Sequence, residues 1–153
     1  MSIKYQKATI HDIKQMQKLV YEKVEDGTIL KRSDEEIATN VRSYTLVFDE
    51  LKLIGFCALH IHTPTLAEIR SLIVDESYRG KKVGSTLVNK CVDEAKELGL
   101  KEVLSLTYKG EFFQYLGFSI IPMSSLPQSK IWVDCIKCKH FPQCNEISLI
   151  KKL

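Results

Sequence analysis

The sequence predicts an α/β fold in which helices flank a mixed sheet. Two observations predict it. Val83, Leu87, Val88, Cys91, Val92, Ala95 and Leu98 recur at helical spacing and form one apolar stripe on a long helix. Around that helix, short apolar runs bounded by turn residues alternate with helical stretches in the order β-α-α-β-β-β-α-β-α-β. A chain of 153 residues is long enough to bury one sizeable core. With no repeat, low-complexity stretch or linker along it, one domain over 1–153 is expected.

Ile3 to Ala8 reads as the first strand. Thr9 caps the helix that follows, with Asp12 at the capping-box position, and Ile13, Met16, Leu19 and Val20 form its buried stripe. Glu25-Asp26-Gly27 ends it. Ser33 starts the second helix with Glu36 as its capping partner, turning Ile37, Ala38 and Val41 inward. Tyr44 to Phe48 and Leu53 to Ile61 read as a hairpin about the turn 49–52. After the turn 60–65, Leu66 to Val74 is the strand that feeds the long helix. Gly99 stops that helix; Val103 to Thr107 is a strand, Glu111 to Leu116 a short helix stopped by Gly117, and Phe118 to Ile121 the start of a strand. Glu146 to Leu153 closes the sheet.

Composition excludes several classes. At 44% hydrophobic and 27% charged residues the chain is ordinary globular, not disordered. A formal net charge of +3, with no arginine-rich stripe, is too small to argue for a nucleic-acid partner. It is compatible with an anionic cofactor. No apolar run approaches a membrane span, and Met-Ser-Ile-Lys-Tyr-Gln-Lys is no signal peptide. A cytoplasmic protein is expected, in which the five cysteines are thiols or metal ligands.

Chemistry concentrates where the long helix begins, at Arg79-Gly80-Lys81-Lys82-Val83-Gly84-Ser85. The first turn of a helix carries unpaired N–H groups and a partial positive charge. Glycine lets backbone approach a ligand, and Arg79, Lys81 and Lys82 add cationic charge. Such a turn suits a phosphate or pyrophosphate. It is neither a Walker A turn nor a dinucleotide fingerprint, since the glycine spacing of both is missing.

An Arg-Gly-x-x-x-Gly turn after a strand resembles the acyl-CoA pyrophosphate loop of the GNAT N-acetyltransferases, Arg/Gln-x-x-Gly-x-Gly/Ala. Arg79 and Gly84 match its ends, while Lys82 stands where the family has its first glycine. If that position needs a positive φ, lysine costs about 1 kcal/mol there. The element order also matches the GNAT fold across the chain, which implies a mostly antiparallel, twisted mixed sheet. The segments 29–33, 55–59, 67–72, 112–118 and 126–130 resemble the acetyltransferase half of bacterial N-acetylglutamate synthases, without their amino-acid-kinase-like half. The resemblance implies acetyl-CoA as cosubstrate, L-glutamate as first-choice acceptor and a place at the opening of arginine biosynthesis. Transfer would be direct, in a ternary complex. A homodimer is left open.

The resemblance also implies roles. The pantetheine arm would run along Leu72-Ile73-Val74, the pyrophosphate would sit on Arg79, Gly80, Lys81, Lys82, Val83, Gly84 and Ser85, and the Leu72 N–H could serve as oxyanion donor. Glu68 matches the general base of several GNAT enzymes. By strand alternation Glu68, Arg70 and Leu72 are expected on one face; the alternative for Glu68 is a salt bridge with Arg70 on an exposed face. Phe113 takes the place of the family's proton-donating tyrosine, so Tyr108 is the substitute, with Phe113 packing near the cofactor. Arg32 and Arg70, with Lys31 and Lys130 behind them, are candidates for the acceptor's carboxylates. Cys135, Cys138, His140 and Cys144 could supply four zinc ligands. Their spacing is compact and a second Cys-x-x-Cys is missing, so no metal is expected, and acetyl transfer needs none. His60 and His62 read as surface or site-rim residues. Alternative functions are acetylation of another small amine, a non-catalytic CoA-binding module, or a zinc-dependent interaction module built on the cysteines.

Overall fold

The structure, a computed structural model, describes residues 2–126 and 146–153. Lys130 and the four candidate zinc ligands Cys135, Cys138, His140 and Cys144 lie outside the described residues.

The strands are β1 (Ile3–Lys7), β2 (Tyr44–Asp49), β3 (Lys52–Ile61), β4 (Leu66–Val74), β5 (Glu102–Thr107), β6 (Ser119–Ile121) and β7 (Ile147–Lys152). The helices are α1 (Ile13–Glu25), α2 (Asp34–Thr39), α3 (Val83–Glu97) and α4 (Gly110–Tyr115). Among the described residues the strands form one sheet in the order β1-β2-β3-β4-β5-β7-β6. Every pairing is antiparallel except β4 with β5.

Local chemistry places the elements. The Asp12 carboxylate accepts from the Thr9 N–H at 2.7 Å, closing the first capping box ahead of α1. The Ser33 hydroxyl accepts from the Glu36 N–H at 3.1 Å, and the Ser33 N–H returns a bond to the Glu36 carboxylate. The helices then divide between the two faces of the sheet. Val83, Leu87, Val88, Cys91, Val92 and Ala95 bury the α3 stripe against β2, β3 and β4, joined by Phe113 and Phe118. Leu98, expected in that stripe, is instead 58% exposed, because α3 ends at Glu97 and the chain turns there. On the other face Ile13, Met16 and Val20 of α1 and Ile37 of α2 cover Leu46, Phe56, Ala58 and Ile73.

One contact in this core is unusually close. A Cβ on Gly55 would meet the Ile73 carbonyl at 2.8 Å and Val47 Cγ1 at 3.1 Å. Gly55→Ala is therefore expected to cost about 1–3 kcal/mol through overpacking. It should appear as a lower urea midpoint at unchanged slope.

Candidate functional site

The parallel pairing of β4 and β5 runs only from Leu66↔Glu102 to Ile69↔Ser105. Past that point β4 is distorted. Phe56 pairs with Ile73 and Ala58 with Arg70, so Cys57 alone faces Ser71 and Leu72. This is a β-bulge, and its first residue, Ser71, has φ 59°. The extra residue resets the alternation. Ala67 and Ile69 pack into the α3 layer before the bulge, and Leu72 and Val74 do so after it. Ile73 turns into the α1–α2 layer. Glu68 and Arg70 therefore do not share a face with Leu72, contrary to simple strand alternation.

Where β4 and β5 part, a cleft of about 550 Å³ opens. Its walls are β4 from Glu68 to Val74, the end of β5 with Tyr108 and Lys109, the loop before α2, and the turn into α3. Leu72, Ile73, Val74, Arg79, Gly80, Lys82, Val83, Gly84, Ser85, Phe113, Glu68, Tyr108, Arg32 and Arg70 all line it. Lys31 and Lys81 are not among the lining residues.

The turn into α3 is built from the end of β4. The Asp75 carboxylate accepts from the Ser77 N–H at 2.9 Å. That bond holds the Asp75 carboxyl below its usual range, with help from Lys52 3.7 Å away. Gly80 follows at φ 78°, with open space where a Cβ would stand. Lys82 is left-handed at φ 62°, ψ 17° and occupies the N-cap of α3. The positive φ weighed for this position from the sequence is what the backbone adopts. The Lys82 carbonyl accepts from the Thr86 hydroxyl at 2.8 Å. Lys81 lies over the Tyr78 ring, 5.7 Å from its centroid, and so runs along the aromatic ring.

At the other end, Glu68 is 1% exposed. An exposed Glu68–Arg70 pair is therefore not what this strand presents. His62 Nε2 lies 2.8 Å from Glu68 Oε1, and both side chains are buried. Sequence reasoning put His62 at the surface or the rim. The tight turn after β3 carries it back over β4 instead, with the His62 N–H donating to the Leu66 carbonyl at 2.9 Å.

Two arginines reach the same region. Tyr44, Ala58 and Arg70 stand in line across β2, β3 and β4. Burial holds the Tyr44 hydroxyl above its ordinary range, and the positive charges of Arg32 and Arg70 offset part of that rise. The Nε atoms of Arg32 and Arg70 are shut off from solvent. The Gln17 amide donates to the Arg32 carbonyl at 2.8 Å and to the Asp34 carboxylate at 3.0 Å, tying this loop to α1.

Along the wall, Tyr108 is 40% exposed and Phe113 is buried edge-on between Phe112 and Phe118, at 5.2 and 5.1 Å. Sequence reasoning missed two cations on the rim, Lys23 and Lys109. Partial burial lowers the Lys109 ammonium, and repulsion from Arg79 and Lys23 adds to this. No local pattern marks either lysine, because they come from α1 and from the β5–α4 connection. Among the described residues no group of three or more His, Cys, Asp or Glu could hold a metal ion. No helix among them is long and apolar enough to cross a membrane.

The fold superposes on the N-acetylglutamate synthase of Neisseria gonorrhoeae, solved with coenzyme A and N-acetyl-glutamate, at a TM-score of 0.89 and 22% identity. That match covers 100% of this chain and 35% of the synthase. An amino-acid acetyltransferase of Pasteurella multocida is 28% identical over 80% of this chain, which spans only 28% of that relative's length. An uncharacterised N-acetyltransferase of Chlorobaculum tepidum is 40% identical over 128 residues, 84% of this chain and 82% of the relative. Residues 9–118 match the Acetyltransferase (GNAT) family. That span takes in the bulged strand, the turn into α3 and the cleft between them, and the chain belongs to the GNAT family of N-acetyltransferases.

Proposed function

We propose that the chain transfers the acetyl group of acetyl-CoA to the α-amine of L-glutamate, the reaction that opens arginine biosynthesis. One observation carries this reading: a buried carboxylate, Glu68, shares one end of the cleft with two arginines, while the other end is a cationic helix start. The relatives named for amino-acid acetylation and N-acetylglutamate synthesis support it.

In this reading the pyrophosphate of the donor lies against Arg79 to Ser85, and the pantetheine arm follows Leu72 to Val74. Arg32 and Arg70 hold the acceptor's carboxylates. Its ammonium gives a proton to Glu68, directly or through one water. The freed amine attacks the thioester carbon. The oxyanion that forms accepts from the Leu72 N–H. Collapse breaks the C–S bond, the departing thiolate takes a proton from Tyr108, and the second proton that the nitrogen sheds on becoming an amide returns through water to the tyrosinate. The bond made is C–N and the bond broken is C–S, so no acetyl-enzyme forms. The arginines favour an acidic acceptor over a polyamine, whose site would need carboxylates.

The test is CoA release with acetyl-CoA and a panel of free amino acids and polyamines. Saturable release with glutamate is expected. Turnover with a polyamine and none with glutamate would overturn the acceptor assignment. Acetyl-CoA binding with no turnover on any acceptor would favour a non-catalytic CoA-binding module.

Lys82 provides an independent check at the donor end. Lys82→Gly relieves a left-handed lysine, and the greater freedom of glycine in the unfolded chain offsets part of the relief. A net stabilisation of about 0.5 kcal/mol is expected. The KM for acetyl-CoA should rise several-fold because a cation beside the pyrophosphate is lost. Thermal unfolding and initial rates therefore move in opposite senses.

A further inference from the structure

We propose that His62 is a positioning residue for Glu68, fixing the carboxylate through a buried hydrogen bond so that it faces the acceptor amine. The inference rests on the reading of Glu68 as general base. An ionised carboxylate taken out of water is costly unless donors meet it. At 2.8 Å, His62 Nε2 meets Oε1 within the range of a charge-assisted bond. An ionised carboxylate can only accept, so Nε2 carries the proton.

The imidazole is itself held in place. Its residue is clamped by the turn 62–66, where the His62 and Thr63 N–H groups both donate to the Leu66 carbonyl, at 2.9 and 3.1 Å. The Thr63 hydroxyl accepts from the Leu66 and Thr65 N–H groups at 3.0 and 3.2 Å. His60, which pairs with Glu68 across β3 and β4, sets its ring edge-on to His62, with centroids 4.8 Å apart and planes at 81°. A turn that rigid is suited to fixing a side chain. A general base is productive only within a narrow range of placements, and a displacement of about 1 Å can cost ~100-fold in rate.

The experiment compares His62→Ala, His62→Gln and Glu68→Gln, singly and with His62→Ala in the Glu68→Gln background. The full chain is used, with the acceptor that turns over fastest. His62→Ala should lower kcat ~10- to 100-fold with both KM values little changed. His62→Gln, whose amide nitrogen can stand near the position of Nε2, should recover most of the loss. In the Glu68→Gln background His62→Ala should have no further effect on kcat, because the carboxylate it positions is gone. Wild-type kcat in His62→Ala would overturn the proposal, as would a loss that multiplies fully onto Glu68→Gln. If His62→Ala does not fold, His62→Gln decides: near-wild-type kcat with a further loss on His62→Asn supports positioning, and equal rates for the two overturn it. A Glu68→Gln enzyme as fast as wild type sinks the base reading itself, an outcome distinct from a slow Glu68→Gln with a fast His62→Ala.

Discussion

Glu68→Gln is expected to lower kcat with glutamate by ~100- to 1000-fold at neutral pH, within the range that a positioned base contributes. Glutamine keeps the shape of the side chain and removes its basicity, so folding should be little disturbed. The deficit should shrink as pH rises, because an acceptor amine that has already lost its proton needs no base. The check is a pH–rate profile of both enzymes with saturating acetyl-CoA. A mutant profile parallel to wild type across the whole range would remove Glu68 from proton transfer. Glu68 is almost wholly buried on a strand whose other buried positions are apolar, and its carboxylate lies at the end of the cleft that Arg32 and Arg70 also reach.

Arg32→Ala is expected to raise the KM for glutamate by roughly 30- to 150-fold, about 2–3 kcal/mol, the loss usual when one partner of a desolvated charge pair is removed. The KM for acetyl-CoA should stay near wild type, since Arg32 stands on the loop before α2, away from the turn into α3. Arg32→Lys should recover only part of the loss, because a lysine offers no planar fork to a carboxylate. Initial rates with glutamate, and with an acceptor lacking the side-chain carboxylate, read this out. An equal rise in both cosubstrate KM values would place Arg32 outside the acceptor site.

Short-range rules carried most of the fold. The capping boxes at Thr9–Asp12 and Ser33–Glu36 are three-residue patterns, and both formed. The strand Leu66 to Val74 has the bounds its composition suggests. The basic turn into α3 was legible because it lies between an apolar strand run and the start of an amphipathic helical stripe. What stayed hidden depends on distant or irregular backbone. Ser71 carries the bulge, and a serine gives no sign of a left-handed conformation as glycine would. One unmarked residue therefore moved Leu72 to the opposite face. His62 was misread because its burial comes from the turn that folds it back onto β4. Lys23 and Lys109 meet the cleft only through tertiary packing, and the insertion of β7 between β5 and β6 is a pairing across sequence that no periodicity encodes.

The parting of β4 and β5 also has a consequence for the protein's motions. Arg70, Ile73 and Val74 remain paired to β3 on one side, and Leu106 and Thr107 to β7 on the other. The sheet's hydrogen-bonded ladder is thus interrupted along this part of its middle, although the buried layer under α3 continues from β2, β3 and β4 to β5 and β7. Amides that point into this seam should exchange with deuterium through small local openings, faster than their neighbours facing β3 or β7. A ligand lying in the seam acts as a removable strand. With acetyl-CoA at 100 times its Kd, the bound form gains about 2.7 kcal/mol against unfolding, and protection should appear first at the seam amides.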